Sequence, residues 1–170
     1  MTREESMTFY ETHARRLYNT ALRIVGDSPL AEEIMQDTIL KYIMSDLGLS
    51  GAQASVWLTR TCVRKSIDAL RRKKRERVFL EEYPRQDEAV EGESDTECAG
   101  GYDTEMLARA LAEMPPAERI VLSLILIEGL DYSETAEYLG VREATLRVRY
   151  LRAKRRLAGV LKEMKMGNQE

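Results

Sequence analysis

Six residues near the C-terminal end carry the most distinctive chemistry of this chain: Arg142, Glu143, Thr145, Arg147, Arg149 and Arg152. A guanidinium offers a rigid planar fork of N–H donors, which matches phosphate oxygens and the outer edge of guanine. Thr145 can bond a base edge or a phosphate, and Glu143 can accept from a cytosine amino group. The set holds no nucleophile beside a base and no metal-ligand spacing. Its chemistry is the recognition of a polyanion.

The elements that must position these residues are legible around them. Asp131 can accept from backbone N–H groups at the start of a short helix, with Glu134 three residues on to reach back. Ala136 and Leu139 give that helix a small inner face, and Gly140 suits the left-handed geometry that ends a helix. A second helix then carries Leu146, Tyr150, Ala153 and Leu157 on one stripe and leaves the arginines elsewhere. This is the layout of a helix-turn-helix whose second helix enters a major groove. An αα-hairpin with an ordinary solvated basic face would share the pattern.

The net charge of −3 speaks against a nucleic-acid partner only if it is evenly spread. Residues 1–78 hold 14 basic and 10 acidic groups, residues 79–105 hold 1 and 10, and residues 106–170 hold 11 and 9. An acidic middle therefore hides two basic ends. The middle has no sustained period and is rich in Glu, Asp, Ser and Gly, so it reads as a flexible tether over 79–103.

The first end reads as three helices. Met7, Tyr10, Ala14, Leu17, Ala21 and Ile24 share a stripe that Gly26 closes. Pro29 suits the first position of a second helix, in which Leu30, Ile34, Thr38 and Tyr42 recur at intervals of four. After the polar stretch Asp46 to Gln53, a third helix starts near Ala54, with Trp57, Leu58, Thr61 and Cys62 inward. It runs into a basic series from Arg71 to Arg77. From Thr104 a fourth helix reaches Met114, Pro115-Pro116 breaks it, and an apolar helix follows to Ile127 and Gly129. The fold class is all-α: two small helical domains, 1–78 and 104–165, joined by the acidic linker, with a short tail at 166–170.

Two cysteines and a single histidine, His13, cannot build a four-ligand zinc site from sulfur and imidazole alone. No cofactor is expected. No P-loop, metalloprotease helix or nucleophile elbow is present, which argues against an enzyme. The longest apolar run, Ile120 to Ile127, is far shorter than the ~20 residues of a membrane span. The N-terminal residues lack an apolar signal core, so a cytoplasmic location is expected, without membrane insertion.

Four motifs in order carry a resemblance: Ala31 to Thr38, Trp57 to Arg60 with Ile67 to Arg72, Leu111 to Arg119, and the helix-turn-helix. Together they resemble the extracytoplasmic-function (ECF) sigma factors, the short two-domain class of sigma-70-type bacterial initiation factors. The resemblance implies that the first domain binds core RNA polymerase and melts the minus-ten promoter element. It implies that the second binds the minus-thirty-five element while touching the polymerase β flap. On this reading Glu32, Glu33, Gln36, Asp37 and Lys41 face a coiled coil of the β′ subunit. Arg60, Arg64, Lys65, Arg71 and Arg72 contact the minus-ten DNA, with a base pocket in the loop 46–54. Trp57 is expected in the core. The linker would thread cationic channels of the polymerase, or serve as a plain spacer. An anti-sigma protein is an expected partner.

The chain departs from the family pattern at several positions. Arg64 stands where asparagine is usual, and aromatics common near Ile43 and Ala54 are absent. Arg142 and Ala144 replace the usual Ser or Pro and Gly at the recognition turn. Thr135 replaces a usual isoleucine, which should loosen the helix-turn-helix core. A rival reading, a stand-alone helix-turn-helix regulator, would bind a symmetric site as a dimer. The chain offers no evident dimerisation helix or ligand pocket for that role.

Overall fold

The computed structural model describes residues 1–76 and 103–167. The chain divides into two compact units, Met1–Glu82 and Tyr83–Glu170, each described by itself. The described residues contain helices and turns and no strand. The expected acidic tether lies, apart from Asp103, outside them.

Unit 1 is built from α1 (Arg3–Val25), α2 (Ser28–Ser45) and α3 (Gly51–Glu76), which pack against one another. Helix α1 begins earlier than the apolar stripe suggests. Thr2 caps it, Glu5 reaches back 2.7 Å to the Thr2 amide, and the two form a reciprocal capping box. Met7 and Tyr10 are exposed, so the expected stripe fails at its N-terminal end. Phe9 and His13 face inward there instead, and Leu17, Thr20, Ala21, Ile24 and Val25 continue the buried side.

Helix α2 starts at an Asp27 cap, whose Oδ1 accepts from the Leu30 amide at 3.0 Å. The second oxygen of Asp27 accepts from Lys73 on α3 at 2.8 Å. Ala31, Met35 and Ile39 join the predicted Ile34, Thr38 and Tyr42 in the core, so the buried side is wider than one stripe. Helix α3 starts three residues before Ala54 and buries Leu58, Cys62, Val63, Ser66 and Ile67.

Unit 2 comprises α4 (Thr104–Glu113), α5 (Pro116–Leu122), a π-helical turn (Ser123–Ile127), α6 (Tyr132–Leu139) and α7 (Glu143–Gly167). Pro115 and Pro116 separate α4 from α5 as expected, because proline removes an amide donor and fixes φ. The apolar helix predicted through Ile127 widens into the π turn, which the Glu128 amide closes on the Ser123 carbonyl at 3.0 Å. Leu111, Leu122, Leu146, Ala153, Leu157 and Leu161 form the centre of the core. Helix α7 passes the expected end at 165 and continues to Gly167.

Candidate nucleic-acid and polymerase-docking interfaces

The geometry of unit 2 begins at its turn. Asp131 accepts from the Glu134 amide at 2.7 Å and starts α6. At the other end Gly140 takes φ +65°, its amide donates to Glu137, and the Val141 amide donates to Ala136 at 3.1 Å. This pair of bonds is a Schellman closure, and glycine adopts its left-handed position without a Cβ penalty. Val141 then packs against the core, which fixes the direction in which α7 leaves. The Arg142 carbonyl accepts from the Leu146 amide at 3.0 Å and opens the new helix.

The predicted stripe of α7 is buried in full: Leu146, Tyr150, Ala153 and Leu157. Arg147 and Arg149 stand two residues apart, hence about 200° apart on the helix. They flank the buried stripe from opposite sides. Arg142, Glu143 and Arg147 are exposed; Thr145, Arg149 and Arg152 are half-buried. Arg147 is also held: its Nη2 lies 2.7 Å from Glu143 Oε1, and its guanidinium carbon sits 4.6 Å from the Tyr132 ring centre. A carboxylate and an aromatic face from the neighbouring helix therefore preorganise one of the predicted DNA ligands.

In unit 1, α3 splits the predicted cationic set. Arg60, Arg64 and Arg71 recur at i, i+4 and i+11 and share one side. Arg60 and Arg64 line a groove of about 550 Å³ together with Leu49, Gln53, Val56 and Trp57. Arg71 lies 3.7 Å from Asp68 on the helix surface. Lys65 and Arg72 lie about 100° around the helix from Arg64 and Arg71. Lys65 donates to Asp37 of α2 at 3.1 Å, which places it on the seam between the two helices.

Trp57 is half-buried, on the groove wall rather than in the core. Its edge meets Tyr42 at 5.6 Å between ring centres, and Tyr42 stacks on Phe9 at 4.6 Å. The Tyr42 hydroxyl donates to the Leu49 carbonyl, so an aromatic stack anchors the loop that forms one lip of the groove. His13 packs on Phe9 at 4.5 Å, and burial, followed by the nearby Arg16 charge, pulls its pKa below the ordinary histidine value.

Glu32, Glu33, Gln36, Asp37 and Lys41 are all exposed on α2. Gln36 bonds Glu32 at 3.2 Å. Leu40 and Met44 continue the exposed surface of this helix, with Met44 81% accessible. Sequence periodicity could not reveal these two, because apolar residues on an outward face break the pattern it relies on.

Comparison with known proteins resolves the family. The profile for sigma-70 region 2 matches residues 9–76, and that for sigma-70 region 4 matches residues 104–157. The ECF RNA polymerase sigma factor SigL of Mycobacterium tuberculosis is 30% identical over 157 residues, covering 91% of this chain and 88% of that protein. The chain belongs to the ECF sigma factors.

The ECF sigma factor SigE of Mycolicibacterium smegmatis is 31% identical over 152 residues, covering 88% of this chain. The match spans 58% of that relative's length. The Bartonella quintana sigma factor RpoE, solved in complex with the anti-sigma factor NepR, has the same fold at a TM-score of 0.56 and 21% identity. That match covers 94% of this chain and 98% of the other. Sigma factors are initiation factors rather than enzymes, and no helix of the described residues is long and apolar enough to cross a membrane.

Against the family pattern, Thr135 is the departure with the clearest structural result. The side chain is fully buried, and its hydroxyl finds no hydrogen-bond partner among the described residues. Leu49 and Gln53 line the groove from within the expected loop 46–54. The uncharged residues that the sequence reading missed are Val56 at the groove and Val148 and Leu151 on α7.

Proposed function

We propose that this ECF sigma factor divides its work between its two units. Unit 1 docks on core RNA polymerase through Glu32, Glu33, Gln36, Asp37 and Lys41 and opens the minus-ten element along α3. Unit 2 inserts α7 into the major groove of the minus-thirty-five element, with Arg142, Glu143, Thr145, Arg147, Arg149 and Arg152 at the contact. The residues between the units span the two promoter elements, and the protein acts in the cytoplasm beside the polymerase.

The observation that carries this reading is the groove of α3. Extruding a base from the stack costs a few kcal/mol. A cleft that combines an aromatic wall with cations beside it can offset that cost, since bases stack on aromatic faces while arginines hold the backbone. Leu49, Trp57, Arg60 and Arg64 bound one such cleft. Arg71 extends the cationic path along the strand and Arg72 adds a second cation about 100° around the helix, whereas Lys65 supports the seam with α2.

Permanganate footprinting of promoter DNA with holoenzyme tests the assignment. Replacing Arg60 and Arg64 by alanine should abolish minus-ten reactivity while core affinity stays within twofold. Unchanged opening in the double variant would remove the groove from the mechanism. In parallel, Glu33→Lys with Asp37→Lys should weaken core binding by at least tenfold and spare opening once saturated.

An anti-sigma protein is a further proposed partner, by analogy with the complex of the Bartonella relative. The exposed Leu40 and Met44 give such an inhibitor an apolar foothold on α2.

A further inference from the structure

The outward stripe of α7 is apolar over its first two turns. Ala144, Val148 and Leu151 recur at i, i+4 and i+7, so they share the side opposite Leu146, Tyr150, Ala153 and Leu157. Ala144 is exposed, Val148 is half-buried, and Leu151 is 43% accessible. The partly buried apolar residues packed on the core of this unit include Tyr132, Leu139 and Val141, but neither Val148 nor Leu151. Cations surround the stripe: Arg147 and Arg149 lie to its two sides, Arg152 follows Leu151, and Arg155 closes the row as exposed basic surface.

An apolar strip bordered by arginines on both sides fits a groove whose walls are phosphate and whose floor offers an apolar group. The major groove of DNA has one such group, the C5 methyl of thymine. Valine and leucine cannot donate to or accept from a base edge, so they discriminate by contact with that methyl alone. We propose that Val148 and Leu151 set promoter specificity by reading thymine methyl groups in the minus-thirty-five element. This rests on the placement of α7 in that groove.

The test separates methyl contact from hydrogen bonding. Holoenzyme, assembled from the full chain and core polymerase, selects duplexes from a random pool. The selected duplex is then remade with deoxyuridine at one upstream thymine at a time, which removes the methyl and keeps every base-pair donor and acceptor. At one or two of these positions wild-type holoenzyme should bind about fourfold more weakly per methyl lost, the worth of burying one such group. Val148→Ser and Leu151→Ser holoenzymes should bind the thymine and uracil duplexes alike at the position each residue reads.

Equal wild-type affinity for all thymine and uracil versions overturns the proposal, and needs no variant to fold. A selected site without upstream thymine overturns it too, as does an undiminished thymine preference in both variants. Each of these outcomes leaves promoter binding intact. Failure to enrich any duplex would overturn the groove placement as well.

Discussion

At the scale of single residues, Thr135 and His13 carry physical costs that substitutions should reveal. A buried hydroxyl without a partner costs about 1–3 kcal/mol relative to a satisfied one. Thr135→Val keeps the shape and removes the stranded group, so it should stabilise unit 2 by about 1 kcal/mol in urea unfolding. Its DNA contacts should be unchanged, because the side chain lies wholly within the core. His13 has the opposite kind of liability. Its folded-state pKa is depressed, so the unfolded chain takes up the proton more readily. The stability it permits is complete above the ordinary histidine value of about 6.5 and declines as pH falls towards the lower folded value. His13→Gln should flatten the acid side of the unfolding midpoint below about pH 6.5, and an unchanged slope would remove His13 from the account. The flanking arginines of α7 can be distinguished by salt. If each meets a phosphate, Arg147→Ala and Arg149→Ala should each lower the logarithmic salt slope of duplex binding by about 0.9. Arg147 leaves Glu143 uncompensated when removed, so its affinity loss at low salt should exceed that of Arg149.

At the scale of elements, the sequence was most legible where one periodic stripe meets one core. The buried side of α7 and the glycine turn before it were readable because a 3.6-residue repeat and a positive φ each demand particular residue types. Legibility ended where capping chemistry or exposed apolar residues took over. The first turn of α1 is polar and owes its place to the Thr2 and Glu5 box, so an apolar stripe beginning at Met7 could not mark it. The π turn at Ser123–Ile127 escaped because a continuous apolar run looks alike in α and π geometry. At the candidate sites, charge identified the arginines but not their partners. The pairing of Lys65 with Asp37 joins residues 28 positions apart, and no local spacing encodes it. The turn itself offers a direct check. Gly140→Ala puts a Cβ on a left-handed residue and should cost about 1 kcal/mol or more of unit 2 stability.

At the scale of the whole molecule, charge is segregated along the chain. Two basic ends flank residues 79–105, which hold 10 acidic groups and 1 basic group. Carboxylates tethered near cationic DNA-binding faces compete with phosphate for them, and the competition weakens as salt screens it. Changing Glu88, Glu91, Glu93, Asp95 and Glu97 to their amides should raise non-specific duplex affinity of the free chain at about 50 mM salt, with the gain shrinking above about 300 mM. Fluorescence anisotropy at both salts reads the difference, and equal affinities would show that the acidic stretch does not act on the basic faces. The Asp27 carboxylate bears on the same scale. One oxygen fastens the start of α2 while the other clasps Lys73, three residues short of the last residue of α3, and these two bonds hold its pKa below the ordinary carboxylate range. Helical residues advance about 1.5 Å each and extended ones about 3.3–3.6 Å, so every residue unwound beyond an opened clasp adds about 2 Å of reach. Loosening the clasp with Asp27→Asn should therefore let the last turn of α3 unwind more readily, read as faster amide hydrogen exchange at the end of that helix.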